Sequence, residues 1–181
     1  MRAKLPTAQG CGNLARQWHG IPYHPGLMKL VIYRFKDNRE EIMEATIRWV
    51  QDVMFVGETG SGHAIVLDGA PDSGGRNMGA RPMEMMLVSV GSCSSYDVIS
   101  ILKKARQPVS SCVAEVTGKR VDAVPAVFEA IHIHFKVTGR GLSEKQVERA
   151  IELSADKYCS ASIMLKKAGV AISHDYELLE E

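Results

Sequence analysis

The sequence has no excess of charge of either sign: Lys and Arg number 22, Asp and Glu 21. Such a balance gives no ground to expect a nucleic-acid or anionic-membrane partner. It also has no apolar run that reads as a membrane span and no basic-then-apolar signal at its start. Cytoplasmic residence is therefore the default expectation. Internal repeats and low-complexity tracts are missing as well. Cysteine is scarce and scattered, as Cys11, Cys93, Cys112 and Cys159 contain no CxxC pair. In a reducing compartment such cysteines are free, buried or catalytic more often than parts of a disulfide scaffold. What is there, over 181 residues, suffices for one ordinary domain with a proper core.

The chain changes character near Met43. Residues 1–26 are rich in Gly and Pro and show no periodicity, and "KDNREEI" breaks the strand-like run that follows, "LMKLVIYRF". Arg39-Glu40-Glu41-Ile42 before Met43 back-translates to a purine-rich bacterial ribosome-binding site followed by a start codon. Residues 1–42 are thus expected to be a leader or a mis-assigned start, with a docking arm as the alternative, and residues 43–181 to be the domain. "ATIRWVQDVMFVGETGSGHAIVLDG" alternates apolar and polar positions around a Gly60–Gly62 turn, which predicts a hairpin or meander. A long helix is expected from Pro82, where proline suits a first turn, to the Gln107-Pro108 break.

Two strands, "VSSCVAEVTGKRVD" and "AVFEAIHIHFKVTG", flank a turn at residues 123–125. "LSEKQVERAIELSADKY" is amphipathic, with Val147, Ala150, Ile151, Ser154 and Ala155 inward and a Ser143/Gln146 capping box expected. A short helix closed by Gly169 and a last strand, "VAISHDYELL", complete the pattern. Strand runs are not punctuated by helices, so the expected class is α+β with antiparallel sheet around a long central helix.

Within the long helix, Cys93 sits among Gly91, Ser92, Ser94 and Ser95. A free cysteine is often simply a small buried hydrophobe; alternatively, its small neighbours leave room for a substrate beside a working thiol. "RPMEMMLVSVGSCSSYDVISILKK" and "ELSADKYCSASIMLKK" resemble the two cysteine regions of the OsmC/Ohr superfamily, and "WVQDVMFVGETGSGHAIVLDG" its opening strands. The likeness runs from Met43 to about Leu178 and is greatest to the YhfA-like branch, through Pro-Met-Glu-Met and Ser-Tyr-Asp-Val.

This resemblance implies an OsmC-like fold, an intertwined homodimer with its central helices buried between two sheets, and thiol peroxidase chemistry on organic hydroperoxides. Cys93 matches the peroxide-attacking cysteine and Cys159 the resolving one. Attack gives a sulfenic acid, condensation a disulfide, and an external dithiol reductant restores the pair. No cofactor is implied. The resemblance also implies an early-strand arginine paired with a glutamate directly after the proline. Here His63 stands in the early turn, Met83 follows Pro82, and Glu84 comes one position later.

Glu84 and Cys93 project from opposite faces of a regular helix, being nine positions apart at roughly 100° each. Glu84 is also explained as a first-turn acid favoured by the helix dipole, and Arg81 and Arg76 are the candidate cations. Cys159 at a helix start is favoured as thiolate. Asp97, one turn after Cys93, raises that thiol instead.

The alternative function is a non-catalytic member of the fold that binds a small apolar ligand at the dimer interface or acts as a thiol redox sensor. Met83, Met85, Met86 and Leu87 would line such a site if they are not core. His132 and His134 share a strand face, but no third metal ligand is near in sequence and they read as solvated. Cys112 and Tyr96 read as packing residues.

Overall fold

A computed structural model describes residues 42–181. The expected leader therefore lies, but for its last residue, outside the described residues. Three strands come first: β1 (Ala45–Gln51), β2 (Met54–Thr59) and β3 (Ala64–Leu67). They form an antiparallel meander in the order β1-β2-β3. The expected Gly-Ser-Gly turn joins β2 to β3, with Gly62 at φ 85°, a conformation glycine adopts freely. A loop carrying a short 3₁₀ turn (Pro71–Ser73) leads into helix α1 (Pro82–Lys104).

Strands β4 (Val109–Arg120) and β5 (Phe128–Gly139) follow, then helix α2 (Glu144–Leu153), a π-helical turn (Ser154–Tyr158), helix α3 (Ser160–Lys167) and strand β6 (Ala171–Leu179). The second sheet has the order β4-β5-β6. Its β4–β5 pair is antiparallel, as expected, but β5 and β6 run parallel, with Ile133 beside His174 and Phe135 beside Tyr176. The fully antiparallel expectation is corrected here. Helices α2 and α3 form a crossover between β5 and β6, and a crossover returns the chain in the same direction.

The core lies between this second sheet and the helices. On β5, Phe128, Ile131, Ile133, Phe135 and Val137 are buried, the period-2 pattern from Ile131 onward that puts one face inward. Helix α1 answers with Val90, Gly91, Ser94, Val98 and Leu102, a stripe at helical spacing. A Cβ on Gly91 would lie 2.7 Å from Val116 Cγ2, so glycine is what lets α1 approach β4 this closely. Helix α2 buries Val147, Ala150 and Ile151, with Ser154 and Ala155 continuing its inner face.

The capping box expected there does not form. Ser143 is the N-cap, but its backbone N–H donates to Gln107 Oε1 at 2.9 Å. Gln107 supplies the acceptor expected from Gln146.

Helix α1 is long and apolar enough, by length and composition, to cross a membrane. That corrects the expectation that no segment reads so. The same composition suits a core helix with apolar residues on more than one face.

Candidate functional site

Helix α1 supplies Cys93 and Asp97, one turn apart on the same side. Cys159 arrives from the other side of the core, through the π-helical turn. There its backbone N–H donates to Ser154 O at 2.9 Å, the widened i→i−5 step of a π-turn, a feature often found at functional sites. Cys159 is then the N-cap of α3, and its Sγ accepts from the Ser162 backbone N–H at 3.4 Å. Ser94 Oγ donates to the same sulfur at 3.2 Å. The reactive atoms of Cys93, Asp97 and Cys159 all lie within 4.8 Å of one another. Cys159 is fully buried, whereas Cys93 is partly open.

The two thiols differ electrostatically. Burial pushes the Cys93 thiol up, and the neighbouring Cys159 and Asp97 add to this; the Ala161 amide opposes them. Burial also acts upward on Cys159, but the hydroxyls of Ser162 and Ser94, the Ser162 amide and the Cys93 thiol outweigh it. They hold Cys159 below the usual thiol range. Asp97 is raised by burial, against the Ser154 hydroxyl, whose Oγ lies 3.4 Å from Asp97 Oδ2. The thiolate therefore belongs first to Cys159, the cysteine at the helix start.

The expected cation and acid lie elsewhere. The Arg81 backbone N–H donates to Glu84 Oε2 at 2.9 Å, and the Arg81 guanidinium lies 3.7 Å from Oε1. Glu84 thus caps α1 and pairs with Arg81 some 13 Å of helix rise from Cys93, at about 1.5 Å per residue. Both residues line an open cavity of about 600 Å³ with Asp68, Leu87, Arg120 and Phe128. His63 closes its own turn, with Nδ1 3.1 Å from Ser61 Oγ. The Arg76 backbone N–H, with that of Met78, donates to buried Asp68 at 3.0 Å. Among the described residues, no Lys, Arg or His pairs with Cys93, Asp97 or Cys159.

The small neighbours of Cys93 have packing and bonding tasks. Gly91 meets β4, Ser92 bonds back to Val88 O at 2.8 Å, and Ser94 serves Cys159. An open hollow of about 400 Å³ lies over Gly91, Ser92 and Ser95 without Cys93 in its lining.

Sequence reasoning placed Ser154 inward, as it is, but missed the other two buried serines, Ser94 and Ser162. The available signal was a serine on an apolar stripe, between Val90 and Val98. It also missed Asp68. The Met78 amide chiefly holds that carboxylate below its usual range, with burial opposing and the Arg76 and Gly69 amides assisting.

His132 and His134 stand on the outer face of β5 and share Asp175 of β6. Asp175 Oδ1 lies 2.5 Å from His134 Nδ1 and 3.2 Å from His132 Nε2. Their partner is a carboxylate from a strand distant in sequence.

Comparison with known proteins places these residues in context. A family model described as OsmC-like protein matches residues 74–175. Protein YhfA of Escherichia coli strain K12 is 47% identical over 137 residues, covering 76% of this chain and 98% of the relative. A crystal structure of a hypothetical protein from Aquifex aeolicus VF5 is 34% identical with a TM-score of 0.68, covering 78% of this chain and 99% of that one. An organic hydroperoxide resistance protein OsmC from Legionella pneumophila has a TM-score of 0.59 at 12% identity, covering 75% and 96%. At that identity the likeness is one of fold alone.

Proposed function

The chain belongs to the OsmC-like family, and from that premise we propose that it is a thiol-dependent peroxidase reducing organic hydroperoxides. The observation that carries this reading is the meeting of Cys93 and Cys159, 66 positions apart in the sequence, with their sulfurs within 4.8 Å of each other. Partly open Cys93 is the thiol that peroxide can reach, and buried Cys159 is the one that resolves. The acidity of Cys159 gives its thiolate a role before resolution: it takes the proton of Cys93 as that sulfur attacks the distal peroxide oxygen. The O–O bond breaks, the alkoxide leaves as alcohol with a solvent proton, and Cys93 becomes a sulfenic acid. The Cys159 thiol then displaces its hydroxyl as water, forming the disulfide. An external dithiol reduces the disulfide and closes the cycle. Arg81 and Glu84 enter this reading as candidates that line the cavity at the start of α1.

The test adds one equivalent of cumene hydroperoxide to reduced protein and follows free thiols and intact mass. Wild type should lose two thiols per chain within minutes. Cys93→Ser should lose none, and Cys159→Ser should accumulate sulfenic acid. No reaction in the wild type would overturn the peroxidase reading.

That outcome would favour the ligand-binding alternative, for which there is one specific support. An apolar cavity of about 280 Å³ lies between the first sheet and the start of α1, lined by Ile47, Gly57, Ile65, Leu67, Pro82 and Met85. We further propose that the working unit is an intertwined homodimer, since many large apolar side chains stand exposed on the single chain.

A further inference from the structure

We propose that Cys93, Asp97 and Cys159 form a binding site for a thiophilic divalent cation of the zinc class. Among the described residues they are the one set of three potential metal ligands whose donor atoms lie within 4.8 Å of one another. Tetrahedral zinc, with bonds of about 2.3 Å to sulfur and about 2.0 Å to oxygen, holds its donors roughly 3.5–3.8 Å apart. Closing from separations of at most 4.8 Å requires an inward movement of no more than about 1 Å, within the range of side-chain rotation on fixed backbones. Cys93 and Asp97 occupy the i and i+4 positions of one helix, the spacing by which helices present two ligands to one metal. Cys159 comes from a second, rigidly packed element.

Charge and hydrogen bonding favour the same occupant. Two ionisable thiols and a carboxylate gather where, among the described residues, no basic side chain pairs with them; Lys166 of α3 is held by Asp156 and the Ala155 carbonyl. The ligands also have the outer partners that orient metal-bound groups and favour their anionic forms. Ser94 and the Ser162 amide donate to Cys159, and Ser154 Oγ lies beside Asp97. Two sulfurs and one oxygen select against magnesium and calcium, which take oxygen ligands. Three protein ligands leave a fourth position, on the side where Cys93 is open, for water. Starting from the Cys159 thiolate, binding breaks the Cys93 S–H bond, forms two metal–sulfur bonds and one metal–oxygen bond to Asp97, and releases one proton. A disulfide between the same sulfurs removes both thiolates, so the metal-bound and oxidised forms exclude each other. The inference does not rest on the peroxidase reading.

The test uses the full chain carrying Cys11→Ser and Cys112→Ser, so that only the two cysteines of the site remain, and Co²⁺ as the probe. The reduced protein should bind one equivalent per chain, with thiolate-to-cobalt charge-transfer absorption and the visible bands of a tetrahedral site. Zn²⁺ should displace it, and the disulfide form should not bind. Asp97→Asn should weaken binding by about tenfold or more, and circular dichroism on this variant separates loss of a ligand from loss of fold. The absence of charge-transfer absorption in the reduced protein would overturn the proposal. So would a cobalt affinity unchanged in folded Asp97→Asn. Peroxide reactivity is measured separately, so either reading can fail alone.

Discussion

The acidity of Cys159 depends on hydroxyls that themselves sit in the core, and Ser94 is the one whose removal changes least else. Its Oγ donates to Cys159 Sγ at 3.2 Å and approaches Ser162 Oγ at 3.4 Å. Ser94→Ala takes away one donor to the thiolate and leaves the Ser162 amide in place. A hydrogen bond to a charged acceptor contributes about 1.5–3 kcal/mol, and a pKa step of one unit corresponds to about 1.4 kcal/mol. The Cys159 thiol should therefore titrate higher in Ser94→Ala than in the wild type. Thiolate ultraviolet absorbance in a Cys93→Ser background, where Cys159 titrates without its coupled partner, is the measurement. An unmoved midpoint would mean that Ser162, through its hydroxyl and its amide, sets the acidity without Ser94.

At the scale of elements, two contacts make quantitative demands. Gly91→Ala would ordinarily gain about 1 kcal/mol of helix propensity. Here the new methyl meets Val116 at 2.7 Å, and overpacking costs about 1–3 kcal/mol. The gain should be absent in the wild-type background and reappear with Val116→Ala, giving a coupling of about 1 kcal/mol or more in a denaturation cycle.

The second contact joins β5 to β6. The hydrogen bond to Asp175 raises His134 above its usual value, aided by Glu177 and Glu115 and opposed by burial, and the same bond lowers Asp175. A raised histidine contributes stability that is complete below about pH 6.5 and fades as pH climbs through its folded pKa. A lowered carboxylate contributes stability present above about pH 3.9 and lost as pH falls through its own. Stability should thus decline from neutral to mildly alkaline pH. Asp175→Asn should flatten that decline in urea midpoints measured across the range.

These same elements show what the sequence could reveal. Alternation, amphipathic spacing and proline or glycine breaks located the helices and strands, because these signals are local. The π-helical turn at Ser154–Tyr158 nonetheless reads in the sequence as more of the same α-helix. The direction of β6 was not local. Nothing in "VAISHDYELL" says whether it meets β5 parallel or antiparallel, and only the α2–α3 crossover decides it. Gln107 displacing Gln146 at the α2 cap is likewise a contact between distant segments. The cysteine pairing came from family resemblance, and Ser154 from helical spacing, while the bonds of Ser94 and Ser162 to Cys159 required the packed core.

For the whole molecule, the question is what covers the surface that a single chain leaves bare. Every residue of β1 is exposed, including Ile47 at 58% and Trp49 at 67%, and α1 turns Val88 at 56% and Tyr96 at 74% outward. Soluble monomers seldom leave contiguous apolar area of this kind uncovered. The bare side chains belong to both the first sheet and the central helix, which is the division an intertwined pair of chains would cover. Sedimentation of the wild type should give twice the chain mass. Val88→Asp, placed on the open face of α1 away from the Val90–Leu102 stripe, should shift it toward monomer and raise the binding of a hydrophobic dye. Because Val88 lies outside the buried core of the chain, far-ultraviolet circular dichroism should stay near wild type. A wild-type protein sedimenting at single-chain mass would remove the dimer and leave the exposed face of α1 to be explained by something other than a second copy.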